Sequence, residues 1–113
     1  MATRSAPSPA AIVTGAGSGV GRATVLRFVA AGWRVALLGR REEMLRETIR
    51  LAPAATRRLL LALPCDLGDP AGVRRAAAEA LARFRRIDAL VNAAGTTSRA
   101  ARSRSFPRKI TRP

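Results

Sequence analysis

Residues Thr14 to Gly21 read T-G-A-G-S-G-V-G and stand directly behind the apolar run Ala10-Ala11-Ile12-Val13. The order is strand, glycine-rich turn, helix, an arrangement that receives the phosphates of a nucleotide. Glycines let the chain turn tightly and approach a diphosphate without Cβ clashes. The helix that follows points free N–H groups and the positive end of its dipole at the anion. The spacing is T-G-x-x-x-G-x-G, with Gly15, Gly19 and Gly21 as the spaced glycines. It differs from G-x-G-x-x-G, which begun at Gly15 would need glycine where Val20 stands. A glycine-rich turn alone also serves as an ordinary loop, so the reading rests on what surrounds it.

Outward from this turn, strands and helices alternate. The first strand is expected over Ala10 to Val13, and a helix over Val20 to Ala31 with Ala23, Leu26, Val29 and Ala30 on its inner stripe. Gly32 is a helix stop. A second strand, Arg34 to Leu38, precedes a helix over Glu42 to Leu51, which is rich in helix formers and ends before Pro53. A third strand spans Leu59 to Leu63. Asp69-Pro70 then reads as N-cap and first helical residue. That helix is expected to reach Arg86, with Val73, Ala77, Leu81 and Phe84 inward, and Ile87 to Val91 forms a fourth strand. Short apolar strands separated by helices predict an α/β fold: a doubly wound, Rossmann-like parallel sheet in the order 3-2-1-4.

Three later segments share the sequence and order of a known pattern. Gly39-Arg40-Arg41 follows the second strand, Cys65-Asp66-Leu67 follows the third, and Ile87-Asp88-Ala89-Leu90-Val91-Asn92-Ala93-Ala94-Gly95 closes the series. Together with the glycine-rich octet, they resemble the short-chain dehydrogenase/reductase family over about residues 8 to 97. Ala93 stands where that family's D-x-L-V-N-N-A-G stretch has its second Asn.

The resemblance implies a nicotinamide dinucleotide cofactor. Gly15, Gly17, Ser18, Gly19, Val20 and Gly21 would surround the diphosphate, with Thr14 closing the turn. An acid after the second strand would accept from the 2′-hydroxyl of NAD; Arg40 and Arg41 stand there instead. A guanidinium grips phosphate through paired charge-assisted bonds, so NADP is expected in preference to NAD. Arg40 is the candidate for the 2′-phosphate and Arg41 for stacking on adenine, although both could simply be solvated in an Arg-rich chain. By resemblance Asp66 meets the adenine amino group and Leu67 packs on the ring, while an Asp in a loop also serves as a local turn. Asn92, counted with the cofactor-binding residues, would bond backbone on both sides of the crevice, while Ala93, Ala94 and Gly95 would allow close approach to the cofactor's ribose.

Composition narrows the remaining classes. The 113 residues carry a net charge of +14 from 21 basic and seven acidic side chains, with 48% apolar residues. One small core-forming domain, residues 9–95, is expected between a flexible start, residues 1–8, and an Arg/Ser-rich disordered tail, residues 96–113. The tail holds Arg99, Arg102, Arg104, Arg108, Lys109 and Arg112 and no acid. One cysteine fits a reducing compartment, and no apolar run reaches the roughly 18 residues of a membrane span, so the expected location is the cytoplasm. With no histidine and a single cysteine, no metal site is expected. Cys65 reads as a small hydrophobe, because no histidine is present to activate it.

The family's chemistry needs a Ser and a Tyr-x-x-x-Lys pair, and the sequence has no tyrosine and only one lysine, Lys109. No catalytic residue is assigned. The expected function is the NADP-binding portion of an oxidoreductase that moves hydride between NADP and a carbonyl or alcohol substrate, inactive alone. A chain shortened or frame-shifted after about Gly95 is expected, which would leave the fourth strand as an apolar edge. The alternatives are a nucleotide-binding module without catalysis, a module binding nucleic acid through its basic tail, and a gene fragment without function. Four aromatic residues, Phe28, Trp33, Phe84 and Phe106, give little for base stacking and argue against nucleic acid.

Overall fold

The computed structural model describes residues 8–94. The expectations for residues 1–7, Gly95 and the basic segment 96–113 fall outside them. Four strands, β1 (Ala10–Thr14), β2 (Arg34–Gly39), β3 (Leu60–Pro64) and β4 (Ala89–Asn92), form one parallel sheet in the order β3-β2-β1-β4. Three helices connect them: α1 (Gly19–Ala30), α2 (Glu42–Leu51) and α3 (Pro70–Phe84). The doubly wound architecture is therefore as the alternation predicts.

Side chains alternate across the pleat, and the core divides accordingly. Ala10, Ile12, Ala36, Leu38 and Leu63 face Ala76, Ala80 and Phe84 of α3. Val13, Val35 and Leu37 face Val25 of α1 and Leu45 of α2. Leu37 and Leu38 are fully buried on opposite faces. Removing a side chain of this kind from water contributes about 1.5–3 kcal/mol. Being covered on both sides is why β1 and β2 read as unbroken apolar runs rather than alternating ones.

Two helical stripes differ from expectation. In α1 the buried positions are Gly21, Val25 and Val29, while Ala23 and Ala30 are exposed. In α3 they are Gly72, Ala76, Ala80 and Phe84; Leu81 is 51% exposed, and Val73 and Ala77 lie at the margin. In α3 the row Gly72, Ala76 and Ala80 at four-residue spacing lets the helix axis approach the sheet closely, so small residues form most of its contact; in α1 the inward row starts at Gly21 and continues through Val25 and Val29.

Boundaries shift for local reasons. Asp69 caps α3 as expected, its Oδ1 accepting from the Ala71 amide at 3.1 Å. The helix stops at Phe84 rather than Arg86 because Arg85 turns left-handed at φ 71°. A short 3-10 helix, Ala54–Leu59, occupies the approach to β3 and was not foreseen, so β3 starts at Leu60 rather than Leu59. At the opposite end of the sheet from the glycine-rich turn, Arg34 donates to the Ser8 and Phe84 carbonyls and lies 5.2 Å from the Phe84 ring centroid. It ties the start of β2 to the end of α3.

Candidate functional site

The carboxyl ends of β1, β2 and β4 converge on one cleft, the position where an open parallel sheet reverses its winding. The cleft has a volume of about 500 Å³ and brings together Gly15, Gly17, Ser18, Gly19 and Val20 from the first turn with Arg40 and Arg41 from the second. Leu67, Ala93 and Ala94 complete the far wall.

Backbone proximity explains two of the glycines. Gly15 sits at φ 63°, and a Cβ there would lie 2.7 Å from the Ala94 Cα and 2.9 Å from the Ala93 carbonyl carbon. The turn after β1 is thus pressed against the turn after β4. Gly21 has helical geometry, but a Cβ on it would collide with the Gly15 carbonyl oxygen and come within 2.5 Å of the carbonyl carbon. Helix α1 consequently begins in direct contact with the turn it follows. Ser18 occupies the N-cap without a capping side-chain bond. Among the described residues, the Gly17 and Ser18 amides donate to no protein acceptor.

Arg40 and Arg41 are exposed at the rim, and neither belongs to an ion pair among the described residues. The three acids of α2 are directed elsewhere or paired locally: Glu42 binds Arg46 at 2.9 Å and Glu47 binds Arg50 at 2.6 Å. Glu43 is exposed and does not line the cleft.

Other residues expected at the site occupy supporting positions. Asp66 Oδ1 accepts from the Gly68 amide at 2.9 Å, a local turn, while its neighbour Leu67 lines the cleft. Asn92 accepts from the Thr14 hydroxyl at 2.8 Å, joining β4 to β1 below the cleft floor. Gly21 lies behind the wall. Cys65 is half-buried; burial pushes its thiol pKa up, the Asp66 carboxylate adds to that, and the thiol form dominates at neutral pH.

Met44 and Leu45 of α2 also line the cleft, and two polar residues lie behind it. Thr48, fully buried on α2, bonds to the Ala16 carbonyl at 2.8 Å. Arg22 Nε donates to the Thr48 hydroxyl at 2.9 Å, and its Nη2 donates to the carbonyls of Gly17 and Met44 at 2.7 and 3.3 Å. Sequence reasoning missed both residues, since no spacing links positions 22 and 48. The only signal was a hydroxyl on an otherwise buried helical stripe.

A family model for short chain dehydrogenases matches residues 9–111. The chain belongs to the short-chain dehydrogenase family. The match runs beyond residue 97, where the motif resemblance ends. The chain is 44% identical over 90 residues to 2-(R)-hydroxypropyl-CoM dehydrogenase of Xanthobacter autotrophicus, covering 80% of this chain and 36% of that protein. Among solved structures it is similar to an actinorhodin polyketide ketoreductase with NADPH, at 33% identity and TM-score 0.69, over 79% of this chain and 34% of that one. A second is the Brucella melitensis 3-ketoacyl-(acyl-carrier-protein) reductase complexed with NADH, at 28% identity and TM-score 0.66, over 74% and 33%. The chain spans about a third of the length of the curated relatives it matches. Among the described residues, no helix is long and apolar enough to cross a membrane.

Proposed function

We propose that this chain is the NADP-binding portion of a short-chain oxidoreductase. The observation that carries the reading is the shared cleft: among the described residues, the amides of Gly17 and Ser18 on one side are unengaged, and Arg40 and Arg41 on the other have no carboxylate partner. The amides suit a diphosphate. The two guanidinium groups suit a further phosphate on the adenosine ribose, where an acid would repel it.

In this reading Arg40 holds the 2′-phosphate, Arg41 stacks on the adenine, and Leu67 packs against the ring. Asp66 orders the loop that carries Leu67, with its second oxygen left for the adenine amino group. Ala93 and Ala94 allow close approach of the cofactor's ribose, and Asn92 braces β4 against Thr14 of β1. The bound nicotinamide would supply or accept hydride for a small carbonyl or alcohol substrate. This sequence contains no tyrosine to move the accompanying proton. Cofactor binding without turnover is therefore the activity assigned to these 113 residues. The reducing environment that suits Cys65 favours the cytoplasm.

Titration of the whole chain with NADPH and NADH, followed by calorimetry, tests the assignment. Arg40→Glu replaces an attraction by a repulsion at the 2′-phosphate alone. Hydrogen bonds to charged groups are worth about 1.5–3 kcal/mol, so NADPH affinity should fall roughly 10- to 100-fold or more. NADH affinity should change by less than about threefold, which corresponds to under 1 kcal/mol. Absence of heat with both coenzymes, or equal losses for both, would reject the proposal.

A further inference from the structure

The carbonyls of the glycine-rich turn are held from behind, and this decides where its amides point. In a trans peptide the C=O of one residue and the N–H of the next are antiparallel. Thr48 draws the Ala16 carbonyl toward α2, so the Gly17 N–H is directed the opposite way. Arg22 draws the Gly17 carbonyl in the same sense, which turns the Ser18 N–H outward as well. Gly17 and Ser18 line the cleft, whereas Ala16, Arg22 and Thr48 do not. The two unengaged donors thus face the cleft because their peptide planes are fixed on the other side.

The clamp is a relay in which each group has one role. The Thr48 hydroxyl has a single proton. Its shorter acceptor is the Ala16 carbonyl at 2.8 Å, against 3.3 Å for the carbonyl of Met44. The same oxygen accepts from Arg22 Nε at 2.9 Å, and Arg22 Nη2 reaches the Met44 carbonyl that the hydroxyl leaves over. A guanidinium fork meets three acceptors at once from two edges. An ammonium could supply the charge but not that geometry.

We infer that Arg22 and Thr48 are positioning residues that aim the Gly17 and Ser18 amides into the cleft and couple that turn to α2. The inference rests on the dinucleotide reading for its functional meaning, but the clamp itself is a property of the free protein. It acts on the diphosphate, which NAD and NADP share, and so differs from Arg40, which would distinguish them.

The test uses the full chain with Arg22→Lys, Thr48→Val and Thr48→Ser. In the cofactor-free protein, ¹⁵N order parameters of Gly17 and Ser18 should fall from about 0.85 to below about 0.6 in Arg22→Lys and Thr48→Val, the difference between rigid and flexible backbone. Those of Val13 and Leu37 should stay unchanged, and Thr48→Ser, which keeps the hydroxyl, should match the parent. Affinity for NADPH and NADH should drop about tenfold together in the first two variants, equivalent to about 1.4 kcal/mol for each. If the parent binds neither coenzyme, the function assigned above fails while the order parameters still decide the clamp. Should Thr48→Val not fold, Arg22→Lys decides alone. Unchanged order parameters at Gly17 and Ser18 in Arg22→Lys, or parental coenzyme affinity in that variant, would overturn the inference.

Discussion

Gly21→Ala sets two effects of opposite sign against each other. Gly21 is helical and lies in the first turn of α1, so alanine should stabilise it by about 0.5–1 kcal/mol through backbone entropy alone. The added Cβ, however, collides with the Gly15 carbonyl oxygen and lies 3.1 Å from the Ala16 Cα. Both obstacles are backbone, and the turn cannot recede freely. The Ala16 amide donates to the Leu38 carbonyl at 3.2 Å, and the Ala16 carbonyl is held by Thr48. Overpacking a rigid site costs about 1–3 kcal/mol, and immobile neighbours favour the upper end. The net effect is a destabilisation of about 2 kcal/mol. For a domain of this size that lowers Tm by about 8–16 °C, taking about 4–8 °C per kcal/mol. Thermal melting followed by circular dichroism reads it directly. Ala23→Gly, at an exposed position of the same helix, calibrates the entropy term. A melting temperature for Gly21→Ala equal to or above the parent's would refute the steric reasoning.

Two further outcomes follow from the same geometry. Arg86 donates to both carboxylate oxygens of Asp88, and the Ala10 amide donates to Oδ2 at 2.9 Å; the Arg86 bond, then the Ala10 bond, hold the Asp88 pKa below its usual value. A group depressed on folding stabilises above its unfolded pKa of about 3.9 and loses that contribution as pH falls through the folded one. Asp88→Asn should therefore show a smaller fall in Tm than the parent between about pH 6 and about pH 3, and parallel curves would count against the pairing. Asp69→Ala removes the cap of α3 and should cost about 1 kcal/mol, lowering Tm by about 4–8 °C; a shift under about 2 °C would mean that the cap contributes little.

Much of this molecule was legible from local pattern. The runs Ala10–Val13 and Arg34–Leu38 are apolar throughout because both faces of their strands are covered. Asp69-Pro70 marks a helix start by side-chain chemistry that needs no tertiary partner. What was illegible depends on distance. Leu81 is exposed because Gly72, Ala76 and Ala80 carry α3 against the sheet, and hydrophobicity alone ranks those residues below leucine. Arg85 ends α3 through a backbone conformation that its identity does not announce. At the site, the glycine-rich turn and the Arg pair were readable, while Arg22 and Thr48 were hidden, since their roles consist of carbonyls presented by a turn folded against α2. Met44 was hidden for the same reason: its place in the cleft is set by how α2 docks.

The sheet order has a temporal consequence during synthesis. β1 pairs with β2 after one crossover, but its other neighbour, β4, joins it through Ala11 beside Ala89. About 75 residues separate the end of β1 from the start of β4, which at about 5–20 residues per second is roughly 4–15 s of ribosome travel. Over about the last 25 residues of that interval, from Pro64 to Ala89 and about 1–5 s long, the nascent chain presents a completed β3-β2-β1 array whose most buried strand has one unsatisfied flank. A chaperone's holding time on this protein should scale with that delay, and slowing translation between codons 65 and 88 should lengthen it.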